Sequence, residues 1–189
     1  MRSVIEYIKS DLYRYAGTTS YRVLFQHLRK NPSFQYSFWF RLCKSRYRIL
    51  RAVAKFKHRR LSDRYGIQIP PTTEIGYGLY LGHHMCIVIN QSAKIGNNCN
   101  LSPFTTIGAN HGKAADIGNN VYIGPNVSIV ENVSIHHNST IGAGATVVKD
   151  VPENATVAGC PAKVISMKEP GRYIKNRWAD NQPDVSTTQ

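Results

Sequence analysis

The chain has 189 residues, enough for one well-buried domain and a small appendage, and no run of roughly 18 apolar, uncharged residues that would span a bilayer. Its net charge of +13 lies entirely in residues 1–66, where sixteen Lys and Arg face three Asp and Glu; residues 67–189 hold eight of each. Four scattered cysteines (Cys43, Cys86, Cys99, Cys160) form no CxxC pair, which argues against a disulfide framework or a metal site and favours buried free thiols.

The first dozen residues mix Arg2, Glu6, Lys9 and Asp11 among apolar ones, so no signal peptide is expected and the expected compartment is the cytoplasm. Residues 1–66 read as a basic α-helical region. Ile5, Ile8, Leu12 and Tyr15 fall at helical spacing, as do Val23, Leu24, His27 and Leu28, and Asn31-Pro32-Ser33 is a stop and restart. A third helix is expected over about 33–58. Phe38, Leu42, Ile49, Val53 and Phe56 make one apolar stripe, and Arg41, Lys44, Arg48, Arg51 and Lys55 a basic one. Such a helix fits peripheral contact with an anionic membrane, or simple packing with a solvated basic face. No nucleic-acid motif accompanies the charge.

From Ile69 onward an aliphatic residue recurs every six positions. The runs are Ile69, Ile75, Leu81, Ile87; then, after a two-residue shift, Ile89, Ile95, Leu101, Ile107; then, after a ten-residue step, Ile117, Ile123, Ile129, Ile135, Ile141, Val147. Gly often follows the aliphatic residue, and a small or β-branched residue often sits four positions after it, as at Cys99, Thr105, Val127 and Ala145. A period of six fits neither an α-helix nor a hairpin. It fits a solenoid in which each hexad is a short strand plus a turn and three hexads make one triangular coil. Function in a solenoid is expected where the repeat is interrupted. The first break, near His83–Ile89, carries His83 and His84; the second, Ala109–Asp116, carries His111 and Lys113. His136 and His137 fall at no break and read as solvated.

The hexads, together with Ala158-Gly159-Cys160-Pro161-Ala162-Lys163-Val164-Ile165, resemble the bacterial hexapeptide acyltransferases. Gly78-Leu79-Tyr80-Leu81-Gly82-His83-His84-Met85-Cys86-Ile87-Val88-Ile89 resembles the catalytic coil of serine acetyltransferases. The resemblance implies an all-β left-handed parallel β-helix over 67–166, behind the helical region 1–66 and followed by a C-terminal arm and tail over 167–189. It also implies a homotrimer, with a hexamer as the larger assembly, and acetyl-CoA as co-substrate in the groove between subunits. By the same resemblance His83 is the general base, with weaker catalytic or acceptor-binding roles for His84, His111 and Gln68. Gly108, Pro125, Ala143, Gly144 and Lys163 match CoA-binding positions. No GxGxxG or P-loop pattern is present.

Three departures bear on the acceptor. Gln68 stands where the serine enzymes place the acid that orients the histidine. Gly82 replaces the Asp before the histidine. The Arg-His pair that meets the serine carboxylate is not recognisable in 109–116. A neutral sugar hydroxyl needs none of these charges, so the leading expectation is O-acetylation of a glycan in capsular or exopolysaccharide synthesis. The alternatives are serine O-acetylation in cysteine synthesis and an inactive β-helix scaffold at the membrane.

Overall fold

The computed structural model describes residues 3–178. Four helices come first: α1 (Val4–Ala16), α2 (Tyr21–Lys30), α3 (Pro32–Leu42) and α4 (Arg48–Tyr65). Each of the first three starts on a side-chain cap, from Ser3, Ser20 and Asn31 in turn, and α3 has Pro32 in its first turn. The expected single helix over 33–58 is broken at 43–47. There the Lys44 and Ser45 N–H groups bond the Arg41 and Leu42 carbonyls, a tight turn that ends α3. Arg41 departs from the expectation as well. It is not on a solvated basic stripe but buried, with Nε and Nη2 on the Asp11 carboxylate at 2.9 and 3.0 Å. Its Nη1 and Nη2 also donate to the carbonyls of Ile75 and Gly76 at 2.7 and 2.6 Å. Phe38 and Leu42 belong to a different helix from Ile49, Val53 and Phe56.

The strands are two residues long from β1 to β12: β1 (Glu74–Ile75), β2 (Tyr80–Leu81), β3 (Val88–Ile89), β4 (Lys94–Ile95), β5 (Asn100–Leu101), β6 (Thr106–Ile107), β7 (Asp116–Ile117), β8 (Tyr122–Ile123), β9 (Ser128–Ile129), β10 (Ser134–Ile135), β11 (Thr140–Ile141) and β12 (Thr146–Val147). β13 (Thr156–Ala158) and β14 (Lys163–Ser166) close the run. They form three parallel faces of a left-handed β-helix, β1-β4-β7-β10, β2-β5-β8-β11-β13 and β3-β6-β9-β12, with β14 antiparallel on β13. The second residue of each two-residue strand points inward and is buried, so the coils stack one aliphatic core. Asn98, Asn120, Asn126, Asn132, Asn138 and Asn154 occupy left-handed turn positions, which Asn tolerates better than most side chains.

Two details of the repeat differ from the sequence reading. Ile87 is inward but is not a strand residue; Ile89 holds that register, and Ile87 stacks at the corner above Thr105. The coil also continues past Val147, with Val151 bridged to Ile135 and Val157 paired to Ile141. The step from Val147 to Val151 is only four positions, which hides this coil from a six-residue scan. Of the cysteines, Cys43 and Cys99 are buried, but Cys160 is exposed at the corner where the chain leaves β13.

The helices cover the open end of the first coil. Tyr36 and Phe40 of α3 join the β-helix core, while Ile8, Leu12, Phe34, Leu42, Cys43 and Ala54 form a second cluster among the helices. On α1, Ser10 Oγ accepts the Gly78 N–H, Asp11 accepts the Leu79 N–H, and Arg14 donates to the Gly78 carbonyl and to Asn100 Oδ1. Residues 167–178 run back along the coils. Gly171 donates to the Asn138 carbonyl, Tyr173 packs on Tyr122, and the Lys175 carbonyl accepts from Arg14. The expected loose tail lies outside the described residues. Among the described residues no helix is long and apolar enough to cross a membrane.

Candidate active site

Backbone hydrogen bonds give the register of each corner between the β2 and β3 faces. Phe104 N–H donates to the Met85 carbonyl, Asn126 N–H to Pro103, and Gly144 N–H to Pro125. Met85, Pro103, Pro125 and Ala143 are therefore equivalent positions in four successive coils. Removing two residues would turn Gly82–Ile87 into a regular corner like Ser102-Pro103-Phe104-Thr105. The two extra residues are His83 and His84. The same counting at the corner after β6 makes Ala109-Asn110-His111-Gly112 the insertion there, since Asn132 N–H donates to the Lys113 carbonyl and Ala114 N–H to Ser92 Oγ.

The two histidines take different environments. His84 is half-buried, its ring edge-on to Tyr65 with centroids 4.5 Å apart. Partial burial, then the neighbouring His83 and Arg64, hold its pKa below the ordinary histidine value. His83 is exposed, with a left-handed φ of 56°. That conformation is uncommon outside Gly, though His is among the side chains that adopt it more readily. The turn is held from beneath by the end of α4. The Tyr65 carbonyl accepts the Cys86 N–H at 2.9 Å, and Gly66 closes α4 at φ 65°, where a Cβ would lie 3.2 Å from Cys86 Sγ. His84 thus anchors the turn while His83 presents its imidazole to solvent.

Gln68 lies beside Val88 at the first coil of the β3 face, its backbone bonded to Ile87 and Ile89. Among the described residues its side chain makes no hydrogen bond to His83, so the expected orienting contact is not made within the chain. His111 is also apart from His83. Its insertion stands on the corner between the β6 and β7 strands, across the β3 face from the histidine turn. One chain does not bring the two together.

The sequence reading missed what shapes the His111 segment. The Glu131 carboxylate, one coil on, accepts the N–H groups of Asn110, His111 and Gly112 at 2.7, 2.8 and 3.1 Å. Those three bonds, that from His111 strongest, hold the Glu131 pKa below the ordinary carboxylate value. Sequence offered no signal for this, because Glu131 occupies an ordinary turn position of a regular hexad.

Of the expected CoA-binding residues, Pro125, Ala143 and Gly144 share the histidine edge, and Lys163 is exposed near its far end, where Ala162 N–H donates to the Thr146 carbonyl. Gly144 has φ 70°, and nothing lies within 4 Å of where its Cβ would stand. From Met85 to Ala162 is four coil steps, about 19 Å at the usual strand spacing. This edge, lined by Pro and small residues, fits an extended ligand reaching from Lys163 to His83. Gly108, equally open, stands instead on the His111 corner.

A family model for the bacterial transferase hexapeptide (six repeats) matches residues 114–149. Serine acetyltransferase 2 of Arabidopsis thaliana is 38% identical over 114 residues, 58% of this chain and 35% of that protein. The chain spans about a third to a little over half of the length of the curated relatives it matches. Among solved structures, the serine acetyltransferase of Neisseria gonorrhoeae in complex with serine is 30% identical with a TM-score of 0.69, over 86% of this chain and 69% of that one. The serine acetyltransferase of Brucella abortus in complex with coenzyme A is 25% identical with a TM-score of 0.67, over 86% and 66%.

Proposed function

We propose that this chain, which belongs to the bacterial hexapeptide-repeat transferases, moves the acetyl group of acetyl-CoA onto an acceptor hydroxyl with His83 as general base. The observation that carries this reading is the two-histidine insertion, which places an exposed imidazole at one end of an edge that suits an extended ligand. In the reaction the His83 imidazole takes the hydroxyl proton as the oxygen attacks the thioester carbonyl. A tetrahedral intermediate forms, its oxyanion needing an N–H donor, and collapses by expelling the CoA thiolate. The protonated imidazole can then return its proton. No covalent enzyme intermediate is needed, which leaves the cysteines without a part.

His111 and Gly108 stand on the opposite edge of the β3 face. A homotrimer in which that corner of one copy meets the histidine edge of the next would unite them with His83, Pro125, Ala143 and Gly144 in one groove. Gln68 and His84 would then act as neighbours that position His83 and shape the pocket.

The acceptor best supported by the relatives is L-serine, in place of the glycan that leads from sequence alone. A sugar hydroxyl remains the second reading because Gly82 supplies no carboxylate beside His83 and the inserted segment 109–112 contains no arginine. Release of CoA thiol from acetyl-CoA, followed with L-serine and with glycan acceptors in parallel, tests both. Serine-dependent release is the expected result; glycan-dependent release alone would select the second reading, and release with neither would sink the class. His83→Ala should lower turnover by about 10²–10⁴-fold while CoA affinity is kept. A near-normal rate would remove His83 as base.

A further inference from the structure

α4 is amphipathic in an inverted sense. It packs on the molecule through Ala54, His58, Leu61 and Tyr65, which are small, aromatic or half-buried. Opposite them, at steps of four and three residues, stand Ile49, Val53 and Phe56, which are 83%, 43% and 59% exposed. At 100° per residue Arg48, Lys55 and Arg59 flank this apolar ridge on one side and Lys57 and Arg64 on the other, with Arg60 continuing it. All six cations are exposed, and Asp63 is the helix's single acid. Tyr47, just before the helix, is 59% exposed.

We propose that this face of α4 binds the surface of an anionic phospholipid bilayer. The helix lies in the plane of the headgroups, with Ile49, Val53 and Phe56 at the acyl boundary and the flanking cations on lipid phosphates. The surface is smaller than the one expected from sequence: it excludes α3, whose Phe34, Tyr36 and Phe40 are buried, and keeps only Ile49, Val53 and Phe56 of the expected apolar stripe. Charge chooses the occupant. A second copy of α4 would set six cations against six, and like charges face to face oppose association. A nucleic acid would satisfy the cations but leaves an apolar ridge without purpose, because binding to phosphate backbone is electrostatic. An anionic bilayer satisfies both. Since Tyr65, on the packing side of α4, carries the histidine turn, docking would set that turn behind the helix, about 10 Å from the bilayer surface. The inference stands whichever hydroxyl is acetylated.

The test is sedimentation of the full chain with phosphatidylcholine vesicles, with and without phosphatidylglycerol. Binding should require phosphatidylglycerol and weaken with salt. Lys55→Glu combined with Arg59→Glu, and separately Phe56→Ser, should each lower it by about tenfold or more. Phe56→Trp should shift its emission to the blue on vesicles, and circular dichroism should show unchanged helix content in every variant. Equal sedimentation with both vesicle types, no sedimentation, or unchanged emission of the bound Phe56→Trp protein would overturn the proposal. So would vesicle binding that Phe56→Ser leaves intact and RNA displaces, or an oligomer that Phe56→Ser dissociates in place of a vesicle effect.

Discussion

The three N–H groups gathered by Glu131 belong to the four residues that exceed the repeat, Ala109–Gly112, and to nothing else in the coil. A loop of that length has no hydrogen-bonding partners of its own in the strand ladder, so a single carboxylate from the next turn sets its shape. Charge-assisted bonds of this kind are the strong ones. If the segment meets the acceptor, Glu131→Ala should raise the acceptor KM by about tenfold, the scale of one such bond, with kcat and the KM for acetyl-CoA little changed. Glu131→Gln, which keeps an acceptor oxygen, should fall between. Steady-state kinetics varying each substrate in turn checks this. His83 and His84 illustrate the same scale from the other side. Adjacent in sequence and both inserted, they are separated in environment by one ring contact, that of His84 with Tyr65.

At the scale of the element, α4 joins two jobs. Its inner side seals the helical cluster and its outer side is the exposed apolar ridge with its flanking cations. His58 belongs to the inner side, between Tyr36 and Phe40 at 4.8 and 5.9 Å between ring centroids. Burial pushes its pKa down to about 4, and among the described residues its Nε2 has no hydrogen-bond partner. In the unfolded chain the same group titrates near 6.5. Between those values the unfolded state binds the extra proton, so stability falls as pH drops from about 6.5 to about 4 and levels below. The slope is about 1.4 kcal/mol per pH unit, roughly 3 kcal/mol in all. Urea unfolding across this range should show the loss, and His58→Met should remove it from the total.

At the scale of the whole molecule, the charge boundary near Gly66 is not a boundary of packing. The helices close an end of the β-helix that would otherwise expose the apolar interior of its first coil, as terminal units of a solenoid must. The junction is polar as well as apolar. Arg41 and Asp11 are both buried there, and Arg41 also binds two carbonyls of the first coil. Arg41→Met should cost about 3 to 5 kcal/mol, because it strands a buried carboxylate. The double variant with Asp11→Asn should recover part of that loss. Thermal melts of the single and double variants measure both. A finding of independent, separately melting halves would contradict a shared core.

The β-helix and its two interruptions were legible in the residues, because a period of six admits few structures and a break in it shows as a simple shift. His83, His84 and His111 were found by that shift, and the CoA-matching positions by resemblance. The last coil was reached only by the resemblance that carries the β-helix to 166, since the short step from Val147 to Val151 breaks the spacing that defines a coil. The contacts that depend on distant partners were not legible. Arg41 looked like one cation among many until Asp11 and two carbonyls, 30 to 35 residues away, were found to surround it. Glu131 looked like any turn residue until the inserted segment was seen folding over it. Local spacing by itself determined the coil, the helical region and the candidate base, because those follow from which side chains must share a face. Only the tertiary structure decided that α3 faces inward and α4 outward, and that His83 and His111 stand on opposite edges. Those outcomes depend on which charges find buried partners and on how the helices seat against the first coil, and neither is written in the period.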